Sequence, residues 1–202
     1  PPQIHPRLSR AEFAYIRSDP AEPTGKVPWA GLLGHRQTWA FIVGKAMTDP
    51  VWFFYLFWLP KFLNERHGVS LLQLGPPLIA IYLAADVGSI AGGWLSSNFI
   101  KRGMTVGAAR KTTIFIAGLL ALPIFYASRT DSLWVAVTLI GMGTAAHQAV
   151  SANIFTTVSD VFPKRVVASV VGLAGMSGAI AGAFVATFVG YILQTTGSYT
   201  VI

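Results

Sequence analysis

Long stretches of this chain carry no charge, and no other feature limits its fold as tightly. Between 112 and 128 there is no charged side chain, between 77 and 100 there is only Asp86, and after Arg165 there is none at all. A hydrocarbon core about 30 Å thick is crossed by roughly 20 apolar residues of helix, so bunched charge of this kind is what a bilayer imposes. The whole chain is 53% hydrophobic and 11% charged, against roughly a quarter charged in an ordinary soluble domain, and its mean hydropathy is +0.55. Aromatic residues at 12% exclude a disordered segment, and the absence of cysteine excludes a disulfide scaffold, thiol catalysis and thiolate metal sites.

Five runs are long and apolar enough to be expected as spans: 38–59, 77–100, 111–128, 133–158 and 168–193. The first is expected to close at Pro60 and Lys61. Helices are required, because a lone hairpin or open sheet leaves backbone groups unpaired in lipid and no run alternates as a barrel strand does. The expected fold is therefore an all-α polytopic membrane bundle. Its connections, 61–76, 101–110, 129–132 and 159–167, are short, which predicts an up-down order with consecutive helices as antiparallel neighbours. Residues 1–36 read as a polar cytoplasmic linker and 37–202 as the transmembrane bundle. The opening PPQIHPRLSR is polar and proline-rich with no signal peptide, and is expected to be the middle of a longer chain.

A formal charge of +7 would suit a nucleic-acid binder, so the positions of the fifteen Lys and Arg decide. Arg7, Arg10, Arg17, Lys26, Arg36, Lys101, Arg102, Arg110, Lys111, Lys164 and Arg165 fall on one side of the bundle. Lys61, Arg66 and Arg129 fall on the other, and Lys45 is inside a span. Basic loops stay cytoplasmic, which predicts an integral membrane protein with a cytoplasmic amino end. It also explains the charge without nucleic acid. Ala174, Gly178, Gly182, Ala186 and Gly190 recur every four residues in the fifth span, with Gly88 and Gly92 likewise in the second. Such faces let helices approach closely.

Ionisable groups at membrane depth cost roughly 2.5 to 3.5 kcal/mol each on insertion scales, so they face a bundle interior or a wet cavity. There are four: Lys45, Asp49, Asp86 and His147. A 100° projection puts Lys45, Thr48, Asp49, Trp52 and Tyr55 on one helical face, a surface for a polar, anionic or sugar-like ligand. Lys45 and Asp49 are also four apart, so an intrahelical ion pair is the competing expectation. Thr144, His147, Gln148 and Ser151 share another face near the midplane, as substrate contacts or as interhelical hydrogen bonds. Asn153 projects to the opposite side, as a packing amide or, in a bent helix, a cavity residue. Asp86 reads as a proton-carrying carboxylate, or as a partner for Lys45 or for a residue outside this chain. No metal-ligand spacing, phosphate loop or hydrolase triad is present, and neither cofactor nor enzyme activity is expected.

Three stretches carry a family resemblance: GKAMTDPVWFFYLFWLPKFL at 44–63, GGWLSSNFIKRG at 92–103, and AHQAVSANIFTTVSDVFPKRVVASVVGLAGMSGA at 146–179. Together they resemble the carboxyl half of hexuronate transporters, members of the anion:cation symporter family within the major facilitator superfamily. The resemblance covers about Lys26 to the carboxyl terminus. It implies twelve spans in two six-helix halves, of which these five are the seventh to eleventh, with the amino-terminal half and one further span missing. It implies proton-driven uptake of a sugar acid, a hexuronate-like anion, by alternating access at a midplane site. Lys45, Tyr55, His147, Gln148 and Ser151 are carried over as site residues, with the main proton-coupling carboxylates in the missing half. Ser97 stands where the superfamily's loop signature has Asp, while Lys101 and Arg102 keep its basic end. The alternative expectation, from the glycine faces alone, is a membrane assembly subunit that transports nothing itself.

Overall fold

The computed structural model describes residues 8–16, 18 and 28–197. Arg7, Arg17 and Lys26, three of the cations counted on the basic side, and most of the expected 1–36 linker lie outside the described residues. The described residues form helices α1 (Arg10–Ile16), α2 (Trp29–Leu33), α3 (Arg36–His67), α4 (Gly75–Lys101), α5 (Val106–Ala121), α6 (Leu133–Val161) and α7 (Lys164–Thr196), with no strand among them. The all-α expectation holds.

Local chemistry sets the helix ends. Ser9 and Glu12 bracket α1 in a capping box: the Glu12 N–H donates to Ser9 Oγ at 3.2 Å, and the Ser9 N–H donates to Glu12 Oε2 at 2.9 Å. The Ser9 backbone N–H, followed by its hydroxyl, holds the Glu12 carboxyl below its ordinary range. Thr105 caps α5 through the Ala108 N–H. Gly68 ends α3 at φ +67°, its N–H returned to Asn64 O at 2.9 Å. The expected stop at Pro60 is corrected: α3 runs through Pro50 and Pro60 to His67. A proline removes one donor and bends the helix without ending it where neighbouring helices support the freed backbone, and here the left-handed glycine sets the boundary.

Among the described residues, four helical segments are long and apolar enough to cross a membrane: Gly75–Lys101, Val106–Tyr126, Leu133–Val161 and Lys164–Thr196. The second includes a 3-10 continuation of α5 over Leu122–Tyr126. The first expected span, 38–59, lies within the 32-residue α3, which is not one of these four because Lys45, Asp49, Pro50 and the polar-tipped Trp52, Tyr55 and Trp58 make it less apolar. On α4, Ile79, Leu83, Val87, Ile90 and Trp94 are exposed at helical spacing, an outward apolar stripe that suits lipid.

Packing departs from the simple up-down order. The closest partners are α4 with α6 and α3 with α7, whereas α6 and α7 touch little. Both close pairs run parallel at a constant offset: Gly88 lies on the Ala145 backbone and Gly92 on Ala149, while Gly178 lies on Asp49 and Gly182 on the Phe53 ring. The small-residue faces therefore select the partners, because missing side chains let the backbones meet. Loop length dictates only that successive helices reverse direction.

Two apolar clusters fill opposite ends of the bundle. Leu32, Phe41, Val158, Val166, Val170 and Leu173 lie at the end holding the α6–α7 turn. Leu59, Leu63, Val69, Ile81, Val137 and Ile140 lie at the other. Arg110, expected in a loop, is a core residue of α5, 8% exposed. Its Nε donates to Asp160 Oδ2 at 3.1 Å, and its Nη1 to Ser96 Oγ at 2.7 Å and Asn153 Oδ1 at 3.4 Å. One guanidinium thus ties α4, α5 and α6. Asn153, fully buried, completes the junction by donating to Gly92 O at 3.1 Å and Ala149 O at 2.8 Å, which makes it a packing amide.

Candidate functional site

The polar residues between the clusters come from α3 and α6, which face each other in opposite directions. On α3, Lys45, Asp49 and Trp52 follow one another at helical spacing; on α6, His147, Ser151 and Phe155 do the same. The antiparallel register sets Lys45 against Ser151 and Phe155, and Trp52 against His147.

Lys45 is 3% exposed. Its ammonium lies 2.5 Å from Asp49 Oδ1, donates to Ser151 Oγ at 3.3 Å, and sits 4.2 Å from the centroid of the Phe155 ring. Anion, hydroxyl and π face together replace the water that a buried cation loses. Both sequence expectations for Lys45 meet here, since it pairs within its own helix and also reaches across to α6. The Asp49 side chain keeps 18% of its surface open, so the pair is sealed on the lysine side and accessible on the carboxylate side.

Nearby, Trp52 stacks on His147 with ring centroids 5.9 Å apart and planes 8° from parallel, and meets the Tyr82 ring edge-on at 6.1 Å. Aromatic walls beside a charged pair offer apolar contact for the carbon face of a polar ligand and polar groups for its hydroxyls. Gln148 is half-buried beside His147.

The other candidates stand apart. Thr144 is fully buried, and its hydroxyl is within reach of Ile81 O at 3.2 Å and Gly141 O at 3.0 Å, which makes it part of the α4–α6 contact. Tyr55 is buried farther along α3 and lines a separate, mostly apolar cavity of about 600 Å³ with Phe54, Leu59, Ile124, Ile140 and Arg129. That cavity does not include Lys45, Asp49 or His147, so this volume and the Lys45–Asp49 pair lie in different places. Asp86 is exposed on α4, one turn beyond Tyr82; Lys45 takes its carboxylate from Asp49 instead. Among the described residues no group of three His, Asp or Glu is placed to hold a metal ion.

Reasoning from sequence missed Phe155, Tyr82 and the Arg110 junction. Phe155 had a signal, its four-residue step beyond Ser151. Tyr82 and Arg110 had none, because each depends on which helix lies opposite.

Comparison with known proteins bears on this geometry. A family model described as Major Facilitator Superfamily matches residues 2–186. The D-galactonate transporter of Escherichia coli O6:H1 is 28% identical over 211 residues, covering 98% of this chain and 48% of that protein. The hexuronate transporter of Escherichia coli K12 is 30% identical over 167 residues, covering 82% and 39%. A probable galactarate/D-glucarate transporter of Bacillus subtilis is 28% identical over 210 residues, covering 98% and 46%. The chain thus spans less than half the length of these curated relatives.

Proposed function

The chain belongs to the Major Facilitator Superfamily, and from that premise we propose that it acts within a secondary transporter importing a sugar acid, a hexuronate-like organic anion. Transport is coupled to protons, across the bacterial inner membrane, by alternating access, with the amino end cytoplasmic. The relatives named above are transporters of galactonate, hexuronate and galactarate or glucarate, anions that share a carboxylate and a row of hydroxyls. Those names lend nothing to an assembly role without transport, or to an enzyme.

The observation that carries the reading is Lys45, an ammonium held inside the bundle between α3 and α6 beside a stacked Trp52–His147 pair. In this reading Lys45 supplies positive charge to the ligand carboxylate, while His147, Gln148 and Ser151 serve hydroxyls or the carboxylate. Thr144 holds α6 against α4 behind them, and Tyr55 lines the separate cavity farther along α3. Asp49 and Asp86 are the proton-coupling candidates, Asp49 through its pair with Lys45 and Asp86 through its open position on α4. The remaining partners are the bilayer and an amino-terminal six-helix half.

The test is uptake of radiolabelled glucuronate by cells expressing the full-length protein, native or carrying Lys45→Ala or His147→Ala, at matched membrane abundance. A hydrogen bond to a charged group is worth about 1.5 to 3 kcal/mol, so each substitution is expected to lower uptake by roughly tenfold or more. Unimpaired uptake in both variants overturns the site.

A further inference from the structure

The Asp49 carboxylate occupies a particular place on α7. A β-carbon built on Gly178 has the Oδ2, Cγ and Cβ atoms of Asp49 as its three nearest neighbours, all at distances that real side chains do not show. The carboxylate therefore fills the volume that any other residue at 178 would claim for itself. Its second oxygen, Oδ1, is the one on the Lys45 ammonium. One turn along, Gly182 accommodates the Phe53 ring in the same way. The two glycines thus share a stripe but hold chemically different groups.

We propose that Gly178 is a positioning residue for the buried charge pair: its missing side chain forms the notch that seats the Asp49 carboxylate and presents it to Lys45. Seated there, Asp49 is the counter-ion of an ammonium whose other contacts are Ser151 and the Phe155 ring. An anionic ligand arriving at Lys45 competes with this carboxylate. The packing of α7 on α3 therefore sets how strongly Lys45 is already neutralised. This consequence for the ligand rests on the reading of Lys45 as a site residue; the seating of Asp49 by Gly178 does not.

The experiment is a double-mutant cycle in the full-length protein with Gly178→Ala, Asp49→Ala and both together, read by thermal stability in detergent and by the KM and maximal rate of glucuronate uptake. Gly182→Ala, with and without Asp49→Ala, is the control for packing alone. In the native background Gly178→Ala forces a collision and is expected to lower Tm by roughly 5 °C. In the Asp49→Ala background the contacts with Oδ2 and Cγ are gone and only the one with Cβ, at 2.9 Å, remains, so the same change is expected to lower Tm by no more than about 2 °C. The Gly182→Ala penalty is expected to be the same in both backgrounds. The KM of the double variant is expected to match that of Asp49→Ala within about twofold, since both lose the same seated carboxylate. Equal Gly178→Ala penalties with and without Asp49 overturn the proposal, because they make Gly178 a plain packing residue. If Lys45→Ala leaves uptake intact while the thermal cycle still shows the coupling, the transport site fails and the notch stands.

Discussion

Replacing Arg110 by Met isolates the energetic weight of one guanidinium that joins three helices. Its contact with Asp160 is partly wet, the Asp160 side chain being 29% exposed, so that component resembles a surface ion pair of about 0 to 1 kcal/mol. The bonds to Ser96 and Asn153, at 2.7 and 3.4 Å, are interhelical and buried, worth about 0.6 kcal/mol each on average in membrane bundles. With methionine retaining much of the aliphatic stem, the loss is about 1 to 2 kcal/mol, or roughly 2 to 8 °C in Tm. Lys111, the adjacent cation, is exposed, and Lys111→Met is expected to stay within about 0.5 kcal/mol of native. Asp160→Asn, which keeps the shape and removes only the screened charge, is expected to fall between them. The assay is a heat step followed by size-exclusion of a fluorescent fusion in detergent. Equal shifts for Arg110→Met and Lys111→Met would refute the three-helix junction.

Other outcomes follow from backbone contacts. Gly88→Ala drives a methyl into the Ala145 backbone, which cannot yield, and is expected to cost about 1 to 3 kcal/mol; Gly93→Ala, with open space around it, is expected to gain up to about 1 kcal/mol from helix propensity. The same heat-step assay decides, and a Gly93 variant as damaged as the Gly88 variant contradicts the parallel α4–α6 register. Gly68→Ala places a side chain at φ +67° and is expected to cost about 1 to 2 kcal/mol in SDS-titration unfolding, with no change if the left-handed cap is wrong. Because the Glu12 carboxyl is held below its ordinary value, the cap on α1 is complete above that value and weakens as pH falls through the lowered one. The protection factor of the Ser9 amide, its exchange rate relative to the intrinsic rate at the same pH, is expected to fall on acidification, and a pH-independent protection factor argues against the box.

Much of the fold was legible because a bilayer writes helices into sequence as uncharged runs, and each expected span has its helix. The pairing of those helices was not. Gly88, Gly92, Gly178 and Gly182 announce close approach, but a face without side chains does not say whose backbone it receives. Arg110 was placed in a loop because a cation among cations next to a turn is ordinarily solvated; its burial depends on Ser96, Asn153 and Asp160 arriving from two other helices. At the site, the four-residue spacing disclosed the Lys45–Asp49 pair, and the shared face of α6 disclosed His147 with Ser151. Thr144 belongs to the same stretch yet turns to α4, since a helix packed on two sides divides one polar arc between two neighbours.

The pairing of α3 with α7 also has a consequence in time. Gly178 leaves the ribosome about 130 residues after Asp49, which at roughly 5 to 20 residues per second is an interval of about 6 to 26 s. Throughout it α3, which carries the Lys45–Asp49 pair, is without its tightest partner. The acid four residues after Lys45 belongs to the same helix and is synthesised with it. Lys45 therefore has a counter-ion from the moment the helix forms, before any neighbour is available to supply one.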